Sequence, residues 1–136
     1  MLKNFVSLQF FKFIGVGATA ALLHWLARIL LSNWLNFSAS VALAYGVGIL
    51  VAYILNAAFV FPNSSRPKPL QIRDFTLVNL GFFPVVWGLS LVFKSALFKI
   101  EWSFFPEAFA HGAAISVPMF ATFLIYKFFT FNDTEV

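Results

Sequence analysis

The stretch ASVALAYGVGILVAYILNAAFVF, residues 39–61, contains no charged residue and no proline. A helix needs about 20 apolar residues to cross a hydrocarbon core about 30 Å thick. The stretch is long enough for one crossing and therefore predicts a transmembrane helix. Its small and polar side chains recur at helical spacing and share one stripe, which consists of Tyr45, Gly48, Ala52 and Asn56.

The composition of the whole chain indicates the same solvent. Of its 136 residues, 61% are hydrophobic and 10% are charged, whereas soluble domains average about 45–50% apolar and about 25% charged residues. A domain of this size needs polar surface to dissolve in water, and 9 basic plus 5 acidic residues do not supply it. We therefore expect a lipid environment, with room for about four spans and no separate catalytic domain.

Three further apolar runs predict an all-α, polytopic membrane protein in which four transmembrane helices form a single domain, residues 1–136. The predicted helices cover residues 10–32, 39–61, 74–98 and 106–129. Asp74 suits the N-cap of the third helix, and Pro106 suits the first position of the fourth. Residues 62–73 combine prolines with basic residues, which predicts a hydrated loop. The first run exceeds the roughly 7–15 residues of a signal-peptide core, so we expect it to remain in the protein.

Basic residues are concentrated on one side of the predicted spans. If the spans alternate in direction, that side holds Lys3, Lys12, Arg66, Lys68, Arg73 and Lys127. The opposite loops hold Lys99 together with two acidic residues, Glu101 and Glu107. Because cytoplasmic loops carry the excess of Lys and Arg, we expect a multi-pass protein of the cytoplasmic (inner) membrane with both termini in the cytoplasm.

The second and fourth predicted helices end in similar sequences. Residues 53–61 read YILNAAFVF and residues 123–131 read FLIYKFFTF, with aromatic residues aligned at three positions. Helices one and three align more loosely, Phe13 with Phe75. These matches predict two similar helix pairs in a parallel repeat, and the alternative is a chance match between Phe-rich helices, since the chain contains 20 Phe.

In their order along the chain, these features resemble the GtrA-like family. They are KFIGVG at residues 12–17, NAAFVF at 56–61, the basic proline-containing loop and YKFFTF at 126–131. The resemblance implies small four-helix proteins of cell-surface polysaccharide synthesis, which act on polyprenyl-phosphate-linked sugars or serve the glycosyltransferases that use them. The family tends to place a basic residue after the Asn of helix two; here that position is Ala57, whereas its counterpart Lys127 is basic.

Polar side chains within the spans are the candidate binding groups, because a central Lys or Arg costs about 2.5–3.5 kcal/mol on insertion scales. For phosphate capture at the inner leaflet the candidates are Lys12, Arg73 and Lys127, and for its release at the outer leaflet they are Arg28 and Lys94. For sugar hydroxyls they are His24, Asn56 and Asn79, and the fourth helix adds His111 to its polar face. The alternatives are that the basic residues only anchor or snorkel and that the amides only join helices.

Missing residue types exclude several other classes. No acidic residue lies in the middle of a span, which argues against a small multidrug exporter. The sequence contains no cysteine, no phosphate-binding Gly-rich loop and no metal-ligand or nucleophile motif, so we expect no enzyme, no cofactor, no metal and no nucleic-acid partner. We predict translocation of a polyprenyl-phosphate sugar by a homo-oligomer, and the alternative is a non-transporting membrane anchor or partner of a glycosyltransferase.

Overall fold

A computed structural model describes residues 2–132, apart from the side chains of Leu2, Glu107, Ala108, His111, Gly112 and Ile115. The described chain is helical. Its five α-helices are α1 (Leu2–Phe5), α2 (Leu8–Leu31), α3 (Phe37–Leu55), α4 (Lys68–Lys99) and α5 (Pro106–Ile125). Two of them, α3 and α5, continue directly into a π-helical turn, Asn56–Val60 and Tyr126–Thr130 respectively.

Three of these helices are long and apolar enough to cross a membrane. They are α2, α3 together with its π turn, and α4. A shorter apolar segment, Ser116–Thr130, covers the last part of α5 and its π turn. The protein is therefore an all-helical, multi-pass membrane protein.

The helices pack as two pairs, α2 with α3 and α4 with α5. Small buried side chains line the contacts, including Ser40 and Ala44 on α3 and Ala110 and Ala114 on α5. Residues of this size let helix backbones approach closely in a membrane. At Gly48, an added Cβ would lie 3.1 Å from Cβ of His24, so the α2–α3 contact is close there too.

The two pairs end in the same local structure. In the first, the Phe61 N–H donates to the Asn56 carbonyl at 2.8 Å; in the second, the Phe131 N–H donates to the Tyr126 carbonyl at 2.9 Å. Each bond closes a π turn, which is a rare conformation. Because the turns occupy the positions that the sequence repeat aligns, they support an origin of both pairs from one helix-pair unit.

An aromatic core joins the two pairs at the end of the bundle where Asn4 contacts Lys127, here called the terminal end. At its centre, the Phe61 and Phe131 rings stack with centroids 4.8 Å apart. The whole core consists of Phe10, Phe13, Tyr53, Phe61, Phe75, Phe123, Tyr126 and Phe131. Farther from the terminal end, α3 and α4 are joined by a ring contact of 6.4 Å between Tyr45 and Phe83. The terminal end is thus the main junction between the pairs.

The predicted start of the third helix was wrong. Helix α4 begins at Lys68 rather than Asp74, and Asp74 lies inside it. The prolines of the preceding segment indicated a loop, but Pro69 occupies the first turn of α4, where the missing N–H needs no intrahelical partner. The predicted helical position of Pro106 matches the start of α5. The sequence analysis did not predict α1.

Candidate functional site

Lys127 is a basic residue whose side chain lies inside the protein. It is 2% exposed, although a lysine near a membrane boundary usually extends its ammonium group to water. Its Nζ donates a 3.1 Å hydrogen bond to Oδ1 of Asn4 and lies 5.9 Å from the centre of the Phe128 ring. The ion pairs of Asp74 with two arginines do not include Lys127. The described partners of Lys127 are the neutral side chains of Asn4 and Phe128.

Two arginine side chains balance the charge of Asp74, the acidic residue of α4. Nη2 of Arg66 lies 2.6 Å from its Oδ2, and Nε of Arg73 donates to its Oδ1 at 2.7 Å. Arg66 also donates through Nη1 to the carbonyls of Phe129 (2.8 Å) and Thr130 (2.9 Å). Since carbonyls at a helix end lack intrahelical partners, Arg66 ties the end of the second π turn to the start of α4.

We expect Arg66→Ala to lower the free energy of unfolding by about 2–3 kcal/mol, because charge-assisted hydrogen bonds contribute about 1.5–3 kcal/mol each. The matched control is Arg73→Ala. Arg73 is 59% exposed in its side chain and contacts the same carboxylate, so its loss should cost clearly less stability than the loss of Arg66. Denaturant unfolding of the purified protein in detergent measures both, and equal losses would contradict the assigned role of Arg66.

Three buried side-chain oxygens near the terminal end lack hydrogen-bond partners among the residues that the structure describes: Oε1 of Gln9, Oδ1 of Asn56 and Oγ1 of Thr130. The Asn56 amide donates to the Ala52 carbonyl at 2.7 Å, and that of Gln9 donates to the Val60 carbonyl at 2.9 Å. A buried polar atom without a partner is destabilising. These three atoms are therefore unpaired polar groups inside the terminal end.

Two hydrogen bonds fix the tyrosines of the aromatic core. Asn79 Nδ2 donates to the Tyr126 hydroxyl at 2.7 Å and to the Phe75 carbonyl at 2.8 Å. The Tyr53 hydroxyl donates to Oε1 of Gln71 at 3.1 Å and so links α3 to α4. The hydrogen bond from Asn79 restrains Tyr126, which directly precedes Lys127 in the chain. It therefore also restrains the backbone that carries the buried ammonium.

This arrangement of two helix pairs, each closed by a π turn, covers nearly the whole chain. A family model described as "GtrA/DPMS, transmembrane domain" matches residues 12–131. The chain belongs to the GtrA/DPMS family. Membership gives it a membrane role in polysaccharide or glycolipid synthesis. No curated protein and no solved structure matches the chain.

Within this GtrA/DPMS fold, the eight predicted binding residues lie in different surroundings. Two are buried at the terminal end, Asn56 and Lys127. Those half-buried are His24, Arg28 and Asn79, and those exposed are Lys12, Arg73 and Lys94. Asn56, Asn79 and Lys127 lie at the terminal end, where Lys12 and Arg73 are exposed, whereas His24, Arg28 and Lys94 lie farther along their helices. The side chain of His111 lies outside the described residues.

The half-buried groups of α2 have aromatic neighbours. The Arg28 guanidinium lies 5.8 Å from the centre of the Phe37 ring, a distance at which a cation is attracted to the ring face. The His24 ring meets Tyr45 edge to face at 6.1 Å. Both contacts link α2 to α3, and both lie outside the terminal end.

Two polar residues of the terminal end, Asn4 and Gln71, were not among the predicted binding residues. Asn4 precedes the first apolar run, and its side chain is the hydrogen-bond partner of Lys127. Gln71 is buried and also donates to the Arg66 carbonyl at 2.7 Å. The sequence repeat could have indicated Gln71, because the alignment of Phe13 with Phe75 also aligns Gln9 with Gln71. Asn4 had no comparable signal.

Proposed function

We propose that this GtrA/DPMS protein moves a polyprenyl-phosphate-linked sugar across the cytoplasmic membrane and catalyses no chemical reaction. The observation that supports the proposal is the buried ammonium of Lys127. Burying a cation is unfavourable unless an anion or several polar groups compensate it. Asn4 offers one neutral oxygen, whereas a phosphodiester offers charged oxygens that form shorter and stronger hydrogen bonds.

The proposed topology has four spans, with α5 and its π turn as the fourth and with the terminal end in the cytoplasm. Exposed basic residues near that end support this orientation by the positive-inside rule; they are Lys3, Lys12, Lys68 and Arg73. In this orientation Lys127 lies near the inner leaflet. A lipid-linked sugar made in the cytoplasm would meet this end first.

Each candidate residue has a defined role in the proposal. Lys12 and Arg73 attract the phosphate at the surface, and Lys127 binds it inside the protein. Hydroxyl groups of the sugar hydrogen bond with Asn56, Asn79 and His24, where the unpaired Oδ1 of Asn56 is a ready acceptor. At the opposite end, Arg28 and Lys94 receive the phosphate before release into the outer leaflet. The polyprenyl tail remains in lipid.

The membrane potential supplies the driving force in this proposal. A phosphodiester carries one negative charge, and moving it from the negative cytoplasm outward is favourable by about 2.3 kcal/mol per 100 mV. Neither ATP nor a coupled ion is then required. Because four helices are too few to surround a sugar headgroup, we propose a homodimer or a larger assembly of the same chain.

A second candidate function is recruitment of a membrane glycosyltransferase without transport. The exposed side chains of Lys68 and Arg73 favour it, because they offer a basic docking surface. Arg66 adds little to that surface, since its guanidinium binds Asp74 and the end of α5. The buried position of Lys127 has no role in such docking, and this is why we place translocation first.

Reconstitution tests the proposal. Vesicles containing the purified protein are loaded with a labelled polyprenyl-phosphate sugar, and its appearance in the far leaflet is followed with an impermeant sugar-modifying reagent. We expect a higher rate than in empty vesicles and a further rise when the far side is made positive. A rate equal to that of empty vesicles, from protein that still co-purifies with a glycosyltransferase, would reject translocation and favour recruitment.

A further inference from the structure

The N-terminal segment, residues 2–7, covers the ammonium of Lys127. Asn4 lies in α1, a helix of 4 residues, and its Oδ1 accepts the hydrogen bond from Lys127. The two residues are 123 positions apart in the chain, so this contact joins the N-terminal segment to the end of the second helix pair. Lys127 has little access to any headgroup while the segment stays in place.

We infer that residues 2–7 form a lid that must leave Lys127 before an anionic headgroup binds there. The inference rests on the proposed function for the identity of the ligand, a phosphodiester lipid, but the movement of the lid is testable without it. The term lid is used below for residues 2–7.

The lid is attached through few contacts. Phe5 packs edge to face on Phe10 at 5.3 Å and on Phe120 at 5.2 Å, and its ring lies 6.3 Å from that of Phe123. Val6 is 78% exposed, and it lies in the break between α1 and α2. A helix of one turn is not stable by itself, so Asn4 and Phe5 provide most of what holds α1 in place. Segments with so few contacts open at a lower free energy than the whole fold.

A hinge is present where the lid joins the first span. Ser7 is the N-cap of α2 and accepts a hydrogen bond from the Phe10 N–H through its Oγ. The same hydroxyl donates to the Asn4 carbonyl at 2.7 Å. When the lid opens, the second bond is lost while the cap of α2 can remain. Opening therefore leaves the spanning helix intact.

The chemistry of Asn4 suits a contact that must be reversible. Its amide oxygen is a neutral acceptor, which binds an ammonium group more weakly than a charged oxygen does. A phosphate oxygen can therefore replace it, and the lid competes with the ligand without excluding it. An aspartate at this position would place a carboxylate against Lys127 and keep the lid closed.

Amine labelling in nanodiscs tests the lid directly. An impermeant amine-reactive ester is applied to the wild-type protein without added lipid-linked sugar, and labelling of each lysine is quantified by peptide mass spectrometry. Exposed Lys12 is the internal reference. We expect Lys127 to react at least about tenfold more slowly than Lys12, because only the open fraction reacts.

Variants of the lid separate opening from unfolding. Phe5→Ala keeps the Asn4 contact and should raise labelling of Lys127 by at least about threefold, whereas Val6→Ala, at the exposed neighbouring position, should leave it unchanged. Asn4→Asp should lower both this labelling and the translocation rate. The inference is overturned if Lys127 reacts as fast as Lys12 in the wild type, if Phe5→Ala has no effect on labelling, or if Asn4→Asp leaves the labelling of Lys127 at the wild-type rate.

The ligand is tested separately by adding polyprenyl phosphate to the Phe5→Ala protein. Protection of Lys127 but not of Lys3 from the ester is the expected result, and it supports the phosphate as the anion that replaces Asn4. If Phe5→Ala raises labelling and polyprenyl phosphate gives no protection, the lid stands and the proposed ligand is rejected.

Discussion

Replacing Lys127 by methionine is expected to abolish measurable translocation of a polyprenyl-phosphate sugar without unfolding the protein. The methionine keeps most of the volume of the buried side chain and removes its charge. A hydrogen bond to a charged group is worth about 1.5–3 kcal/mol, which corresponds to about 10- to 100-fold in binding of the phosphate. Flux through reconstituted vesicles, measured at a lipid concentration below saturation, should fall by the same factor.

Stability distinguishes this result from a folding defect. Exchanging a buried charged group for an apolar one of similar volume is often neutral or stabilising, so the Lys127→Met protein should unfold at the wild-type denaturant concentration or above it. Lys68→Met is the matched control, since Lys68 is exposed on the same end and should transport normally. A Lys127→Met protein that transports at the wild-type rate would contradict the assigned role of this residue.

Phe131→Ala is expected to produce the largest loss of stability. The Phe131 ring is fully buried, stacks on Phe61 at 4.8 Å and Tyr53 at 6.0 Å, and meets Phe75 edge to face. Its removal leaves a cavity at the main junction between the helix pairs, and such truncations cost about 3–5 kcal/mol. Denaturant unfolding in detergent, followed by tryptophan fluorescence, measures the change.

The neighbouring Phe129 provides the control for this variant. Phe129 lies in the second π turn, two residues before Phe131, but is 72% exposed, so Phe129→Ala should change the free energy of unfolding by less than about 1 kcal/mol. If both variants lost a similar amount of unfolding free energy, the cause would be the local conformation of the π turn, in which any substitution is destabilising. The aromatic junction would then not be the source of the stability.

Three long spans and the pairing of the helices were predictable because they depend on features that are local in sequence. Apolar runs set the helices, and the aligned ends around Asn56 and Tyr126 indicated the repeat that the two π turns display. The start of α4 was predicted wrongly because proline signals a break in a helix interior but fits a first turn equally well. The sequence does not distinguish these two cases, and the structure shows that Pro69 lies in the first turn of α4.

The depth of Lys127 and its partner were not predictable. A lysine next to aromatic residues at the end of a span has the sequence pattern of a surface anchor, and only the fold shows that it points inward. Its partner Asn4 is distant in sequence and precedes the first apolar run. Contacts between the two termini depend on how the helix pairs associate, which no local pattern of residues specifies.

The most direct test of the central claim, that buried Lys127 receives a phosphate, is a comparison of two lipids in vesicles containing the wild-type protein. One is a labelled polyprenyl-phosphate sugar, and the other is a neutral polyprenyl glycoside with the same sugar and chain. We expect the protein to accelerate the charged lipid by at least about tenfold over empty vesicles and to leave the neutral lipid at the rate of empty vesicles. Equal acceleration of both lipids, or of neither, would contradict it.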